Sequence, residues 1–276
     1  MDIFKIAFTG GPCALKTTTI NKVKEKLNED GYYVIVVPET AAELIKAGIL
    51  PNSDKKHTSR FQELVLEKQL NKEMLSLEYA KLLKDNNTDL IKDKKGIVIL
   101  YDRSIMDNRA YLSYEDYNNL LNKYGINELS NLNKFDLVLD LISTATLKPE
   151  LYALDGVRYE TVEEAAHRDM LTSSAWLLHK NLKVVKPTEK EEDKINIVLN
   201  HIYDLLKDKQ SNNLKVYDVN DEVYVGLRWA YKITLITAKM HKVQQKIRNI
   251  IPHSFIIYVL LCCMRMDMFP SRCHNT

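Results

Sequence analysis

A lysine and two hydroxyls close a glycine-led loop at Gly10-Gly11-Pro12-Cys13-Ala14-Leu15-Lys16-Thr17-Thr18. The order fits the phosphate-binding template G-x-x-x-x-G-K-[ST] at every fixed position but one, where Leu15 stands for the second glycine. In such a loop the backbone N–H groups form an anion nest backed by the positive end of the next helix. Lys16 would bridge phosphates as a point charge. The Thr17 hydroxyl would be a hard oxygen ligand for Mg²⁺, and Thr18 would donate to a further phosphate oxygen. Leu15 either crowds the phosphate or, if its backbone is already helical, turns back into the core.

Other chemistry-bearing residues stand where strands end. Asp102-Arg103 can hold Mg²⁺ or a substrate hydroxyl with the carboxylate and an anion with the guanidinium. The competing reading is an ion pair at the start of the helix from Ser104. Glu39 is a candidate general base, or a carboxylate facing a helix dipole. Arg158, within Asp155-Gly156-Val157-Arg158-Tyr159-Glu160, would neutralise charge from a closing segment between Lys148 and Glu164. Arg168 is a weaker candidate for the same task.

These residues need a scaffold, and the apolar runs supply one. Strands are expected at Ile3–Phe8, Tyr32–Val37, Ile97–Tyr101, Leu137–Ile142 and Leu182–Val185. Several are nearly continuous in apolar character, as in a parallel sheet covered on both faces. Helical patterns separate them: Thr17–Asn28, Ser59–Lys84, Tyr114–Tyr124, Glu163–His179 with Thr161 or Thr172 as caps or bends, and Glu189–Lys207. Alternating β and α segments predict an α/β sheet with helices on both sides, and ligands beyond the carboxyl ends of its strands.

The charge balance, 39 Lys+Arg against 37 Asp+Glu, excludes a strongly basic nucleic-acid binder. Four scattered cysteines have no framework spacing and predict a reducing, cytoplasmic setting. The first residues enter a strand directly, which predicts no signal peptide. The apolar run Phe255–Met264 is short beside the roughly 20 residues of a membrane-spanning helix, so no transmembrane segment is expected. Cys262, Cys263, Cys273 and His274 match no standard zinc spacing. The texture divides the chain into residues 1–209, a nucleotide-binding domain, and 210–276, a helical or partly disordered extension.

TGGPCALKTT, VVPETAAELI, YDRSIMDNRAYLS, FDLVLDLISTA and VRYETVEEA occur in that order. Together, over about residues 3 to 205, they resemble the NadR-like P-loop AAA domain family, in its eukaryotic branch related to the TRPL-translocation-defect protein. The resemblance implies a P-loop NTPase fold of kinase type: a five-stranded parallel sheet in a three-layer α/β/α arrangement. It maps Gly10, Gly11, Lys16, Thr17 and Thr18 to a nucleotide loop, Asp102 and Arg103 to a D-R motif and Arg158 to a lid motif. Joined to the residue chemistry above, this predicts ATP or GTP with Mg²⁺, a nucleotide loop at residues 10–18, metal ligation by Thr17 and Asp102, and catalytic roles for Lys16, Glu39, Asp102, Arg103 and Arg158. A phosphoinositide partner follows by family analogy only. The relatives carry a further CYTH-like β-barrel, whose strand pattern is missing after about residue 210. Three functions stay open: a small-molecule kinase or NTPase, a nucleotide-dependent switch or adaptor in membrane traffic, and a pseudo-NTPase disabled by Leu15.

Overall fold

β-Branched and apolar runs form a five-stranded parallel sheet in the order β2-β3-β1-β4-β5. The strands are β1 (Ile3–Thr9), β2 (Tyr33–Val37), β3 (Ile97–Asp102), β4 (Leu137–Leu141) and β5 (Leu182–Val185). The computed structural model describes residues 1–51, 55–86, 88–147 and 161–210. The helices are α1 (Lys16–Glu29), α2 (Thr40–Lys46), α3 (Lys55–Asn86), α4 (Tyr114–Lys123), α5 (Glu128–Leu132), α6 (Thr144–Leu147), α7 (Val162–Ser174) and α8 (Glu191–Gln210), with a 3₁₀ segment at Ile105–Ala110. The expected P-loop NTPase α/β fold is therefore the observed one. Arg158, the segment around it and the proposed extension 210–276 lie outside the described residues, Gln210 excepted.

Alternation along each strand splits the core in two. Phe4, Ile6, Phe8, Leu137, Leu139 and Leu141 pack with Ile20, Val23 and Leu27 of α1 and with Val198 and Ile202 of α8. On the other face Ala7, Ile97, Ile99 and Val138 pack with Ala80 and Leu83 of α3 and with Trp176 just beyond α7. Full burial on both faces holds for the inner strands β3 and β4. The edge strands differ: β2 is mostly half-buried, and Lys183 and Val184 of β5 are exposed. An edge strand has a neighbour on one side only, so its outer flank meets solvent.

Parallel register brings the carboxyl ends of the inner strands level. Phe8 pairs with Asp102 across β1 and β3, and Thr9 pairs with Asp140 across β1 and β4. The loop after Thr9 is thus flanked by a carboxylate at the end of β3 and by one a residue before the end of β4. Thr161 caps α7 through a full capping box with Glu164, as its position suggests. α7 stops at Ser174, short of His179, because a turn seats Trp176 and His179 against Phe135.

Candidate nucleotide site

Each carbonyl of the loop from Gly10 to Leu15 meets a donor. Lys16 Nζ donates to the carbonyls of Gly10 (3.0 Å) and Gly11 (2.7 Å). The Ser143 hydroxyl donates to the carbonyl of Pro12, and that of Thr144 reaches the carbonyl of Cys13 at 3.5 Å. Lys194 Nζ, from α8, donates to the carbonyl of Ala14 (2.9 Å). The Leu15 carbonyl takes the Thr19 N–H (2.9 Å) and hydroxyl (2.8 Å). The amides of Lys16, Thr17 and Thr18 belong to the first turn of α1, where no intrahelical acceptor exists. Gly10 permits the tight entry: its φ is 122°, and a Cβ there would lie 2.0 Å from the Leu141 carbonyl oxygen.

Leu15 neither continues the helix nor returns to the core. Its backbone is left-handed (φ 58°, ψ 28°), it is the N-cap residue of α1, and its side chain is 42% exposed. This corrects the expectation that helical geometry would let leucine turn inward. The template has glycine here because the nest requires a positive φ. Leucine adopts that φ at a cost of about 1–2 kcal/mol. Cys13 (φ 56°) and Arg103 (φ 71°) share the conformation, and among the described residues these are the non-glycine positions with positive φ. Strain of this kind gathers at functional sites. Replacing Leu15 by glycine is expected to stabilise the fold by about 0.5–1 kcal/mol, the relief of about 1–2 kcal/mol exceeding the added chain entropy of about 0.5–1 kcal/mol. Urea unfolding of the two proteins measures the difference.

Asp102 and Arg103 part company. Asp102 is 2% exposed, and its Oδ2 accepts the Thr17 hydroxyl at 2.6 Å. Its Oδ1 is buried without a hydrogen-bond partner among the described residues. Burial pushes the Asp102 carboxyl up, and the Lys16 ammonium offsets part of this. Arg103 turns the other way: Nε donates to Glu39 Oε1 (2.8 Å), and Nη1 lies 3.5 Å from Asp107 Oδ2. Burial alone would lower its pKa, but Tyr111, Glu39, Asp107 and Asp102 hold it well above its ordinary value. The two residues are not an ion pair at the start of the 3₁₀ segment; the Ser104 hydroxyl caps that segment by accepting the Met106 N–H. Glu39 is the N-cap residue of α2, makes no side-chain cap bond and is committed to Arg103.

Lys16, Thr17, Asp102, Arg103 and Glu39 therefore meet at one rim, as expected, while Arg158 lies outside the described residues. Pro12 and Ala14 are buried loop supports, and Thr18 is exposed on the first turn of α1. Arg168 is already engaged, with Nη1 on the Ala110 carbonyl and its guanidinium 4.9 Å from the Tyr111 ring centroid. Burial, with the Arg103 charge, lowers the Lys16 ammonium to about 8. Among the described residues no cluster of at least three His, Cys, Asp or Glu is arranged to hold a metal ion.

Several residues of the site carry little signal in the sequence. Asp107 Oδ1 accepts from Thr9 (2.7 Å) and Trp176 Nε1 (2.7 Å), which braces the Arg103 side chain. Asp140 is 1% exposed, and burial pushes it up to about 6. A lone carboxylate inside the apolar run Leu-Val-Leu-Asp-Leu was the available signal. Lys194 sits in a charged run that reads as solvated surface, and only its burial against the loop, which lowers it to about 8, singles it out.

A family model described as an AAA domain matches residues 5–194. A solved structure of NadR protein in complex with NR is similar at 12% identity and a TM-score of 0.47; the match covers 74% of this chain and 52% of that one. The chain thus spans about half the length of that structure. No curated protein matches it.

Proposed function

Since the chain belongs to the AAA domain family over residues 5–194, we propose that it binds Mg²⁺ with ATP or GTP and transfers the terminal phosphoryl group to a hydroxyl of a small molecule. The observation that carries this reading is the buried, unpartnered Oδ1 of Asp102 beside the Thr17 hydroxyl, at the mouth of an amide nest holding Lys16. A polar atom left unsatisfied in the interior costs about 1–3 kcal/mol, a cost a ligand would relieve. Thr17 and Asp102 suit a hard cation that keeps waters and phosphate oxygens as its other ligands. Bound there, Mg²⁺ would neutralise developing phosphate charge.

The protein's own groups divide the remaining work. Lys16 would leave the Gly10 and Gly11 carbonyls for the β- and γ-phosphates. Glu39, half-buried and oriented by Arg103, would take the proton of the acceptor hydroxyl. That oxygen would bond to the γ-phosphorus as the bond to the β,γ-bridging oxygen breaks, and the nucleoside diphosphate would leave. Arg103 and Asp107 would hold Glu39 in place. A cytoplasmic setting belongs to the same reading.

Titration calorimetry of the full chain with Mg·ATP and Mg·GTP, followed by assays for transfer to nucleosides and ribosides, tests the proposal. Leu15→Gly is expected to bind within about tenfold of the parent, since relief of about 1.4 kcal/mol is worth a factor of ten. A parent that binds neither nucleotide beside a Leu15→Gly protein that binds well would establish a disabled loop instead. Binding without turnover would favour the switch.

The Lys16 ammonium also sets a pH dependence. In the unliganded protein its pKa is lowered from 10.5 to about 8. Phosphate oxygens favour the charged form and raise it, so binding takes up a proton above about pH 8. Affinity is therefore expected to fall as pH rises through 8. Calorimetry in buffers of different ionisation enthalpy measures the proton uptake, and its absence at pH 8.5 to 9 would remove Lys16 from the phosphate site (about one proton is the ceiling).

A further inference from the structure

The cradle is held from behind by a carboxylate on another helix. Asp169 of α7 is 1% exposed, and its Oδ1 accepts the Gly11 N–H at 2.6 Å. Its Oδ2 accepts the Ser143 N–H at 3.1 Å and the Thr146 hydroxyl at 2.6 Å. Gly11 is glycine for this contact: a Cβ there would lie 2.6 Å from the Asp169 Cβ and 2.9 Å from its Cα. One carboxylate thus ties the start of the loop to the residues following β4, which in turn hold the Pro12 and Cys13 carbonyls. A bare carboxylate aimed at a polyphosphate would repel it. With its oxygens spent on donors behind the loop, this one shapes the loop without facing the ligand.

Resting on the nucleotide-binding reading, we propose that Asp169 is a positioning residue for the phosphate loop: by fixing the Gly11 amide outward it leaves the amides of Ala14 to Thr18 to face the phosphates. Asparagine is the discriminating substitution. It matches aspartate in shape, but one of its two polar ends is a donor. Whichever way it is placed, an NH₂ group meets either the Gly11 N–H or the Ser143 N–H, and a donor faces a donor.

The test compares the parent chain, Asp169→Asn and Ile202→Val, the last removing a methyl group from the core between the sheet, α1 and α8 while leaving the Asp169 hydrogen bonds in place. Amide spectra of isotope-labelled protein are recorded with and without Mg²⁺ and a non-hydrolysable triphosphate. In the parent the Gly11 amide is expected to be protected from exchange and to stay so when nucleotide is added, while the amides of Ala14 to Lys16 shift. In Asp169→Asn the Gly11 protection is expected to fall and nucleotide affinity to drop about tenfold, as for loss of a charge-assisted bond. Ile202→Val should lose stability and keep parental affinity. A Gly11 amide that is unprotected in the parent overturns the inference, and this measurement needs neither a variant nor a nucleotide. So does an Asp169→Asn protein with parental affinity. A parent that shows Gly11 protection but binds no triphosphate refutes the nucleotide reading and leaves the contact standing.

Discussion

Lys16→Met is expected to weaken binding of a Mg²⁺-bound nucleoside triphosphate by about 100-fold or more. Losing one partner of a desolvated charge pair costs about 2–5 kcal/mol, and each 1.4 kcal/mol is about a factor of ten. The ammonium is enclosed, with 7% of the residue exposed, and its present acceptors are the Gly10 and Gly11 carbonyls at the base of the nest. Methionine fills the same volume without charge. It abandons those carbonyls, but it also removes an ammonium that burial disfavours. Fold stability should therefore change little while affinity collapses. Calorimetry for the ligand and a thermal melt for the fold separate the two effects. A variant that melts like the parent and binds within about threefold of it (under about 0.7 kcal/mol) would leave the loop without its phosphate-binding role.

The sheet was legible because its strands are nearly uninterrupted apolar runs, and each expected strand lies within a residue of the observed one. Ending strands at Phe8, Val37, Tyr101 and Ile142 is enough to collect Lys16, Thr17, Glu39, Asp102 and Arg103 on one rim. What the sequence concealed is partnership. Adjacent Asp102 and Arg103 suggested a pair, but the positive φ of Arg103 sends its side chain to Glu39 and Asp107 while Asp102 reaches back to Thr17. The short elements α2, α5, α6 and the 3₁₀ segment carry too few residues for a helical period to emerge. Loop supports such as Asp169 and Lys194 were hidden for another reason. They lie 158 and 180 residues from the groups they hold, and surface and support lysines look alike in one dimension. Leu15 is concealed in the same way: its type suits either placement, and only its backbone angle and exposure exclude the core.

Asp102→Asn is expected to move stability and activity in opposite directions. The carboxyl sits with one oxygen on Thr17 and the other unpartnered, and burial raises its pKa above the ordinary 3.8. For an acid with a raised folded value, the folded state holds the proton longer than the unfolded state. The group's contribution is then intact below pH 3.8 and is lost as pH rises through the folded value. Burial makes the carboxylate charge a cost to the fold as pH rises, and asparagine removes it. The variant should melt at a higher temperature than the parent at pH 7, and the difference should shrink as pH falls toward the ordinary carboxyl value of 3.8. Binding of Mg²⁺ with nucleotide, and any phosphoryl transfer, should fall about 100-fold or more, because a neutral amide gives up the charge that a hard cation requires. Residues kept at the expense of stability are those a ligand uses. A variant that is less stable than the parent and equally active would show that Asp102 serves the fold alone, and the nest would then have to bind its anion without a metal ligand from β3.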